Sequence, residues 1–123
     1  MAVVSKEEEL KKIIDELEHI GDIVGSAVVR RDGLMILSGL PKEVNAKGVA
    51  AMAAAMVGTG ETASKELDIG NLNQVIVNSE KGRLISIGAG PQAILTALVR
   101  EEANMGLVLL EMEKAAAKIG RIV

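Results

Sequence analysis

The stretch Val28-Val29-Arg30-Arg31-Asp32-Gly33-Leu34-Met35-Ile36 consists of two apolar runs separated by a turn signal. Valine and isoleucine favour β-strands, and an Asp-Gly pair between two such runs is the strongest short signal for a β-hairpin. We therefore expect a strand over residues 23–31 and a returning strand over residues 34–38. Between them we expect a type I′ turn, with positive φ at both Asp32 and Gly33.

A helix is predicted before this hairpin. Ser5 and Glu8 form a capping box, in which the serine hydroxyl satisfies a free amide of the first turn and the Glu8 side chain reaches back to another. Apolar residues then recur at helical spacing: Leu10, Ile13, Ile14 and Leu17. We expect this helix to end near Gly21, with that glycine as a left-handed stop.

Five further elements are predicted after the hairpin. They are a long Ala-rich helix over residues 42–67, strands over residues 73–78, 83–88 and 93–99, and a last helix capped by Asn104. The predicted buried face of the last helix consists of Met105, Val108, Leu109, Met112, Ala115, Ala116 and Ile119. The order α-β-β-α-β-β-β-α, without an internal repeat, predicts a single α/β domain of the α+β kind over residues 1–123.

The central helix is apolar on two sides. One stripe is formed by Val49, Met52, Ala53, Met56, Gly60, Ala63 and Leu67. The second face carries Ala51, Ala54, Ala55, Gly58 and Thr62. A helix that is apolar on two sides is buried on two sides, so we expect one side to cover the sheet and the other to meet a partner chain.

The composition excludes several classes of function. The 123 residues include no Phe, Tyr, Trp or Cys, and the formal net charge is -3. Nucleic-acid binding is not expected, because the chain lacks both a basic excess and aromatic rings on which bases could stack. Disulfide bonds and thiolate chemistry are excluded, because both require cysteine. The start of the chain has no signal-peptide core, and no apolar stretch reaches the ~20 residues of a membrane span, so we expect a cytoplasmic protein.

Residues 58–63, Gly-Thr-Gly-Glu-Thr-Ala, match the dinucleotide pattern G-x-G-x-x-A, and Glu80 lies twenty residues after Gly60. That fingerprint needs a strand before its first glycine, whereas residues 50–57 favour a helix. We therefore expect these glycines to be small residues in a helix that let another backbone come close, and we expect no cofactor.

Catalytic groups are few. His19 is the only histidine, and without cysteine it has no partners for a zinc site. Glu101 and Glu102 are adjacent, so their side chains point apart, and no serine stands in a G-x-S-x-G context. We expect that the chain is not an enzyme.

Four stretches of the chain resemble the Roadblock family, which includes the roadblock-type dynein light chain and the bacterial polarity regulator MglB. Residues 28–36 match its V-x-x-D-G-L-x-I hairpin, and residues 50–60, followed by Glu61 and Ser64, match its Ala-rich helix. Residues 74–77 with 83–86 resemble its second hairpin, and residues 103–108 its A-N-x-G-L helix start. The resemblance runs from about Ile20 to the end of the chain.

The resemblance implies a profilin-like fold, in which a five-stranded antiparallel sheet carries the central helix on one face and the terminal helices on the other. It also implies a homodimer, whose third strands pair edge to edge while the central helices pack together. The interface would then consist of Ala51, Ala54, Ala55, Gly58 and Thr62 with the edge residues Gln74, Val75, Ile76, Val77 and Asn78.

The function that the resemblance implies is that of a regulator or scaffold for a small Ras-like GTPase. Arg83, Arg100 and Arg121 are present, but nothing in the sequence marks any of them as an arginine finger. Stimulation of GTP hydrolysis therefore stays a hypothesis. Two alternatives remain open: a structural adaptor in a motor-like or filament complex, and a small-molecule sensor that uses the glycine segments at Gly58 and Gly88.

Overall fold

The computed structural model describes residues 4–123, so the first three residues, on which part of the prediction about the start of the chain rests, lie outside the described part. The elements are α1 (Lys6–Glu18), β1 (Ile23–Arg30), β2 (Met35–Ser38), α2 (Ala46–Glu66), β3 (Val75–Ser79), β4 (Gly82–Ala89), β5 (Ala93–Val99) and α3 (Met105–Ile122). Their order is the predicted one.

All five strands form one antiparallel sheet in the order β2-β1-β5-β4-β3. The strands at its two edges are therefore β2 and β3, as expected for the third strand. The helices α1 and α3 pack on one face and α2 packs on the other. The predicted arrangement of sheet and helices is confirmed.

Two apolar cores lie on the two faces of the sheet, because successive strand residues point to opposite sides. The larger core lies under α1 and α3 and includes Ile14, Ile85, Leu95, Met112 and Ile119. The smaller core lies under α2 and is formed by Ala27, Val29, Ala50, Val57 and Ile94. The predicted buried face of α3 is confirmed, with Met105 and Leu109 half-buried at its border.

The helix caps agree with the sequence in two cases. Ser5 Oγ accepts from the Glu8 backbone N–H at 3.1 Å, and Asn104 Oδ1 accepts from that of Leu107 at 3.2 Å. Among the described residues, the Glu8 side chain makes no hydrogen bond back to Ser5, so only the serine half of the capping box is present. The predicted start of α2, at residue 42, was wrong by four residues. The helix begins at Ala46, because Asn45 caps it by accepting a hydrogen bond from the Gly48 backbone N–H. The predicted stop of α1 was also wrong, since the helix ends at Glu18 with His19 as its cap, and Gly21 does not adopt positive φ.

The turn between β1 and β2 is not of type I′. Gly33 has a φ of 94°, but Asp32 does not adopt positive φ. Arg30 N–H donates to the Leu34 carbonyl at 2.8 Å, and Gly33 N–H donates to the Arg30 carbonyl at 2.9 Å. This is the three-residue hairpin loop, which needs only one residue in the left-handed region.

The sheet-facing side of α2 also differs from the predicted stripe. Its buried residues are Ala50, Ala53, Val57 and Ser64. Met52 and Leu67, both assigned to the covering stripe, are 55% and 67% exposed. Small residues occur all around this helix, so the apolar pattern alone does not define which side meets the sheet.

Candidate interaction surface

The outward side of α2 carries a continuous set of small or apolar residues. We call it the α2 face, and its exposed members are Ala51, Met52, Ala55, Gly58, Thr59, Thr62 and Ala63. None of these residues is charged. A shallow depression runs along the face, and among residues 4–123 a Cβ atom at Gly58 would meet no atom outside its own stretch of helix within 4 Å. Another backbone can therefore approach this helix closely.

Ala54 differs from the other predicted interface residues of α2. Its side chain is half-buried and packs against the core beneath the helix, while also lining the border of the depression. A large substitution at Ala54 would therefore disturb the fold as well as the surface, which makes Ala55 the better probe of the α2 face.

The edge strand β3 has the features of a strand that can pair with another chain. It lies in unbroken register with β4 over all five of its residues, and Ile76 and Val77 are exposed hydrophobic residues. The opposite edge, β2, spans only four residues, and its pairing with β1 contains an irregularity. Short or irregular edges resist pairing, so β3 is the more competent edge.

The remaining predicted residues of the edge lie at the ends of β3. Gln74 is half-buried and precedes the strand, which begins at Val75. Asn78 is exposed, and its Oδ1 atom accepts a hydrogen bond from Arg83 Nε at 3.0 Å. The strand extends one residue further than predicted, to Ser79.

The half-buried Gly60 brings α2 close to the start of β3. A Cβ atom at this position would lie 3.1 Å from Leu72 Cδ2 and 3.2 Å from Val75 Cγ2. The absence of a side chain therefore lets α2 lie against the start of β3. The two groups of predicted residues, which are separated in the sequence, lie at the same side of the molecule.

Sequence reasoning did not assign two other sets of apolar residues to this surface. Leu67 and Ile69, which both lie in the connection from α2 to β3, are 67% and 69% exposed. Leu84 and Leu98 stand in register with Val77 across three strands. The alternation of strand residues was a usable signal for this row, but only the strand order shows that its members are neighbours.

An ion pair holds α2 in place on the sheet. Arg31 Nη1 donates to both carboxylate oxygens of Glu61 at 3.0 Å, and Arg31 Nη2 donates to the Gly90 carbonyl at 3.1 Å. The same guanidinium lies over Gly88, where a Cβ atom would be 2.7 Å from Nη2. The space beside Gly88 is thus filled by the protein itself.

One carboxyl group lies in an unusual environment, far from the α2 face. Burial raises the pKa of the Glu18 carboxyl above its ordinary value, and the negative charge of Asp15 adds to this. The Ser26 backbone N–H, which donates to Glu18 Oε1 at 3.1 Å, opposes the shift in part. This contact joins the end of α1 to β1.

The structure also describes the sites that were considered and rejected on the basis of the sequence. Residues 58–63, the match to the dinucleotide pattern, lie inside α2. Within residues 4–123, no group of three or more His, Cys, Asp or Glu residues is placed to hold a metal ion. No helix of the described chain is long and apolar enough to cross a membrane.

The family model of the Roadblock/LC7 domain matches residues 9–99. The chain belongs to the Roadblock/LC7 family. This Roadblock domain is 38% identical over 110 residues to the protein MJ1340 of Methanocaldococcus jannaschii, covering 89% of this chain and 96% of that one. This likeness supports the family and not an activity.

Two solved structures show how this Roadblock domain compares with known folds. An MglB with a tetrameric arrangement superposes with a TM-score of 0.87 at 20% identity, covering 99% of this chain and 93% of that one. LokiProfilin1, solved in complex with rabbit actin, gives a TM-score of 0.64 at 17% identity, with 94% and 97% covered. At these identities the likeness shows the fold alone. The profilin-like fold expected from the sequence is thereby confirmed.

Proposed function

We propose that this single Roadblock domain is a non-catalytic, homodimeric regulator or scaffold that binds a small Ras-like GTPase. The observation that carries the proposal is that the helix with the uncharged α2 face lies against the start of the regular edge strand β3. Proteins normally shield such an edge, and an exposed apolar helix face next to it is a typical interaction site.

The dimer follows from pairing one β3 with a second copy of itself. Two identical strands pair antiparallel about a two-fold axis perpendicular to the sheet. Both α2 helices then lie on the same side of the joined sheet, where their small residues can pack together. Residues such as Ala55 and Gly58 permit the close backbone approach that such packing needs.

The GTPase as partner is supported by family membership and by the resemblance described above, rather than by a side-chain constellation. Two of the three arginines considered as fingers are engaged by the protein itself. Arg83 Nε donates to Asn78, and Arg100 Nε donates to the Gly21 carbonyl at 3.0 Å. The proposed role is therefore binding and positioning, and any effect on GTP hydrolysis is to be measured on the partner.

Two measurements test this function. Light scattering at micromolar concentration should give the mass of a dimer, and a stable monomer would exclude the proposed pairing. Isothermal titration calorimetry with the small Ras-like GTPases of the host, each in the GDP and GTP-analogue states, should show binding that depends on the nucleotide. Failure to bind any of them in either state would refute the GTPase partner.

The structural adaptor is distinguished by the same titration, because an adaptor without a regulatory role would bind both nucleotide states equally. The sensor hypothesis gains no support from the two glycine segments that suggested it. Gly58 lies on an open helix face, and Arg31 lies over Gly88.

A further inference from the structure

The α2 side of the sheet is only partly covered by α2. The core beneath the helix contains Ala27, Val29 and Ile94, with Val75 packed at its border. The next set of residues along the strands is Val77, Leu84 and Leu98, which are in-register neighbours on β3, β4 and β5. We call these three residues the apolar row.

The apolar row points to the same side as α2 because Val77 lies two residues after Val75 on β3. None of its members belongs to either core. Val77 is 39% exposed, and Leu84 and Leu98 are half-buried. The row is therefore an apolar strip of sheet beside the helix, and it reaches the free edge at Val77.

A second apolar pair is exposed where α2 ends. Leu67 and Ile69 belong to the connection that leads from α2 into β3. Gly60, in the last third of α2, lies against Leu72 and Val75, so the helix runs close to the start of β3, and the connection that follows it enters β3 at Val75. In one chain, α2 thus overlies the start of β3, while the apolar row begins further along the strand.

A two-fold axis brings these two sets together. When β3 pairs antiparallel with its copy, the Val75 end of one strand lies beside the Ser79 end of the other. The helix of the second copy then lies next to the uncovered part of the first sheet, on the same face. We propose that Leu67 and Ile69 of each copy pack on the apolar row of the other copy.

This inference rests on the proposed homodimer and deepens it, because it assigns a reciprocal contact outside the α2 face. The occupant of the row is the α2–β3 connection of a second copy of this chain. The contact is continuous with the paired edge through Val77. It would cover two exposed apolar surfaces that a lone chain leaves in water.

Cysteine crosslinking tests the contact, since the chain has no cysteine of its own. Chains with Ile69→Cys and Leu84→Cys, carrying different tags, are mixed, allowed to exchange and treated with a short thiol-specific crosslinker. The control pair is Leu110→Cys with Leu84→Cys, because Leu110 is exposed on α3, on the other side of the sheet. We expect about ten-fold more mixed covalent dimer than in the control pair.

A separate chain with Val77→Cys reports on the strand pairing alone. Crosslinking through Val77→Cys, without crosslinking between Ile69→Cys and Leu84→Cys above the control, would overturn the reciprocal contact and leave the homodimer standing. If Val77→Cys does not crosslink either, both the proposed edge pairing and the reciprocal contact are refuted. Far-UV circular dichroism verifies folding, and Leu98→Cys replaces Leu84→Cys if that chain does not fold.

Discussion

Arg31 and Glu61 are joined across the α2 side of the sheet, with Arg31 Nη1 3.0 Å from both carboxylate oxygens of Glu61. Arg31 follows β1, Glu61 lies in α2, and the same guanidinium also donates to the carbonyl of Gly90 between β4 and β5. The side chains are 30% and 47% exposed, respectively. Arg31 therefore links the helix that carries the α2 face to a turn of the sheet.

Removal of the Arg31 side chain should lower the free energy of unfolding more than removal of the charge on Glu61. Arg31→Met removes the bonds to both Glu61 and Gly90, and we expect it to lower the free energy of unfolding by about 1 kcal/mol. Glu61→Gln removes only a half-exposed charge, and we expect about 0.5 kcal/mol or less. Urea unfolding followed by circular dichroism at fixed protein concentration measures both. Equal losses would show that the bond to Gly90 contributes nothing.

Gly120 should not tolerate a side chain. A Cβ atom there would lie 3.0 Å from the Gly90 nitrogen and 3.2 Å from its Cα atom, so two backbone segments would have to separate. We expect Gly120→Ala to lower the free energy of unfolding by about 1–3 kcal/mol. The matched control is Gly106→Ala in the same helix, where the contacts are ordinary and helix propensity favours alanine by up to about 1 kcal/mol. A neutral Gly120→Ala would argue against the close approach.

The buried hydroxyls of Ser86 and Thr96 should respond unequally to removal. Thr96 Oγ1 donates to the Ile85 carbonyl and lies 2.8 Å from Ser86 Oγ, so Ser86 supplies the hydrogen between them. Thr96→Val leaves the Ser86 hydroxyl buried without a partner, at a cost of about 1–3 kcal/mol. Ser86→Ala leaves Thr96 bonded to Ile85 and should cost less.

Thermal unfolding of the double variant Ser86→Ala/Thr96→Val completes the cycle. We expect it to be more stable than Thr96→Val alone, because both polar groups are then gone. Additive losses would contradict a coupled pair.

Ala55→Glu should weaken the proposed dimer without unfolding the chain. Ala55 is exposed in the single chain, so the new carboxylate stays solvated until two α2 faces meet. We expect about a 100-fold higher dissociation constant, equivalent to about 2.7 kcal/mol. Analytical ultracentrifugation measures it, with Ala117→Glu on an exposed site of α3 as the control. If both variants dimerise like the parent chain, α2 does not form the interface.

Glu18 should make the chain less stable as the pH rises. The pKa of its carboxyl is raised mainly by burial, so the folded chain binds this proton more tightly than the unfolded chain does. The contribution of Glu18 to stability therefore falls as the pH rises from the ordinary carboxyl range, about 4.3, through the folded pKa.

Glu18→Gln removes this dependence while keeping an acceptor for the Ser26 backbone N–H. We expect the variant to gain stability relative to the parent chain between about pH 4 and pH 7. Urea unfolding across this range measures the gain, and Glu16→Gln on the same helix corrects for the loss of one charge. A gain that shrinks with rising pH would reverse the assigned direction.

Local chemistry made much of the fold predictable. The caps at Ser5 and Asn104 and the Asp-Gly hairpin depend on residues within a few positions of each other, and the structure contains all three. The predicted turn type and the predicted start of α2 were wrong, because a three-residue loop closes the hairpin and Asn45 caps the helix, and the local sequence pattern did not distinguish these from the alternatives. The two parts of the candidate surface, one on α2 and one on β3, were predicted from the sequence. Their role as an interface stays a prediction.

The sequence by itself determined the order of the elements and the helix with small residues on several sides, because propensity and periodicity act over short distances. The edge position of the third strand was implied only by the family resemblance, since it depends on the strand order. Only the tertiary structure decided which side of α2 covers the sheet, and that Val77, Leu84 and Leu98 form one row beside it. The physical reason is that both depend on the pairing of strands far apart in the chain. Strand order and register place those side chains together, and no local pattern encodes them.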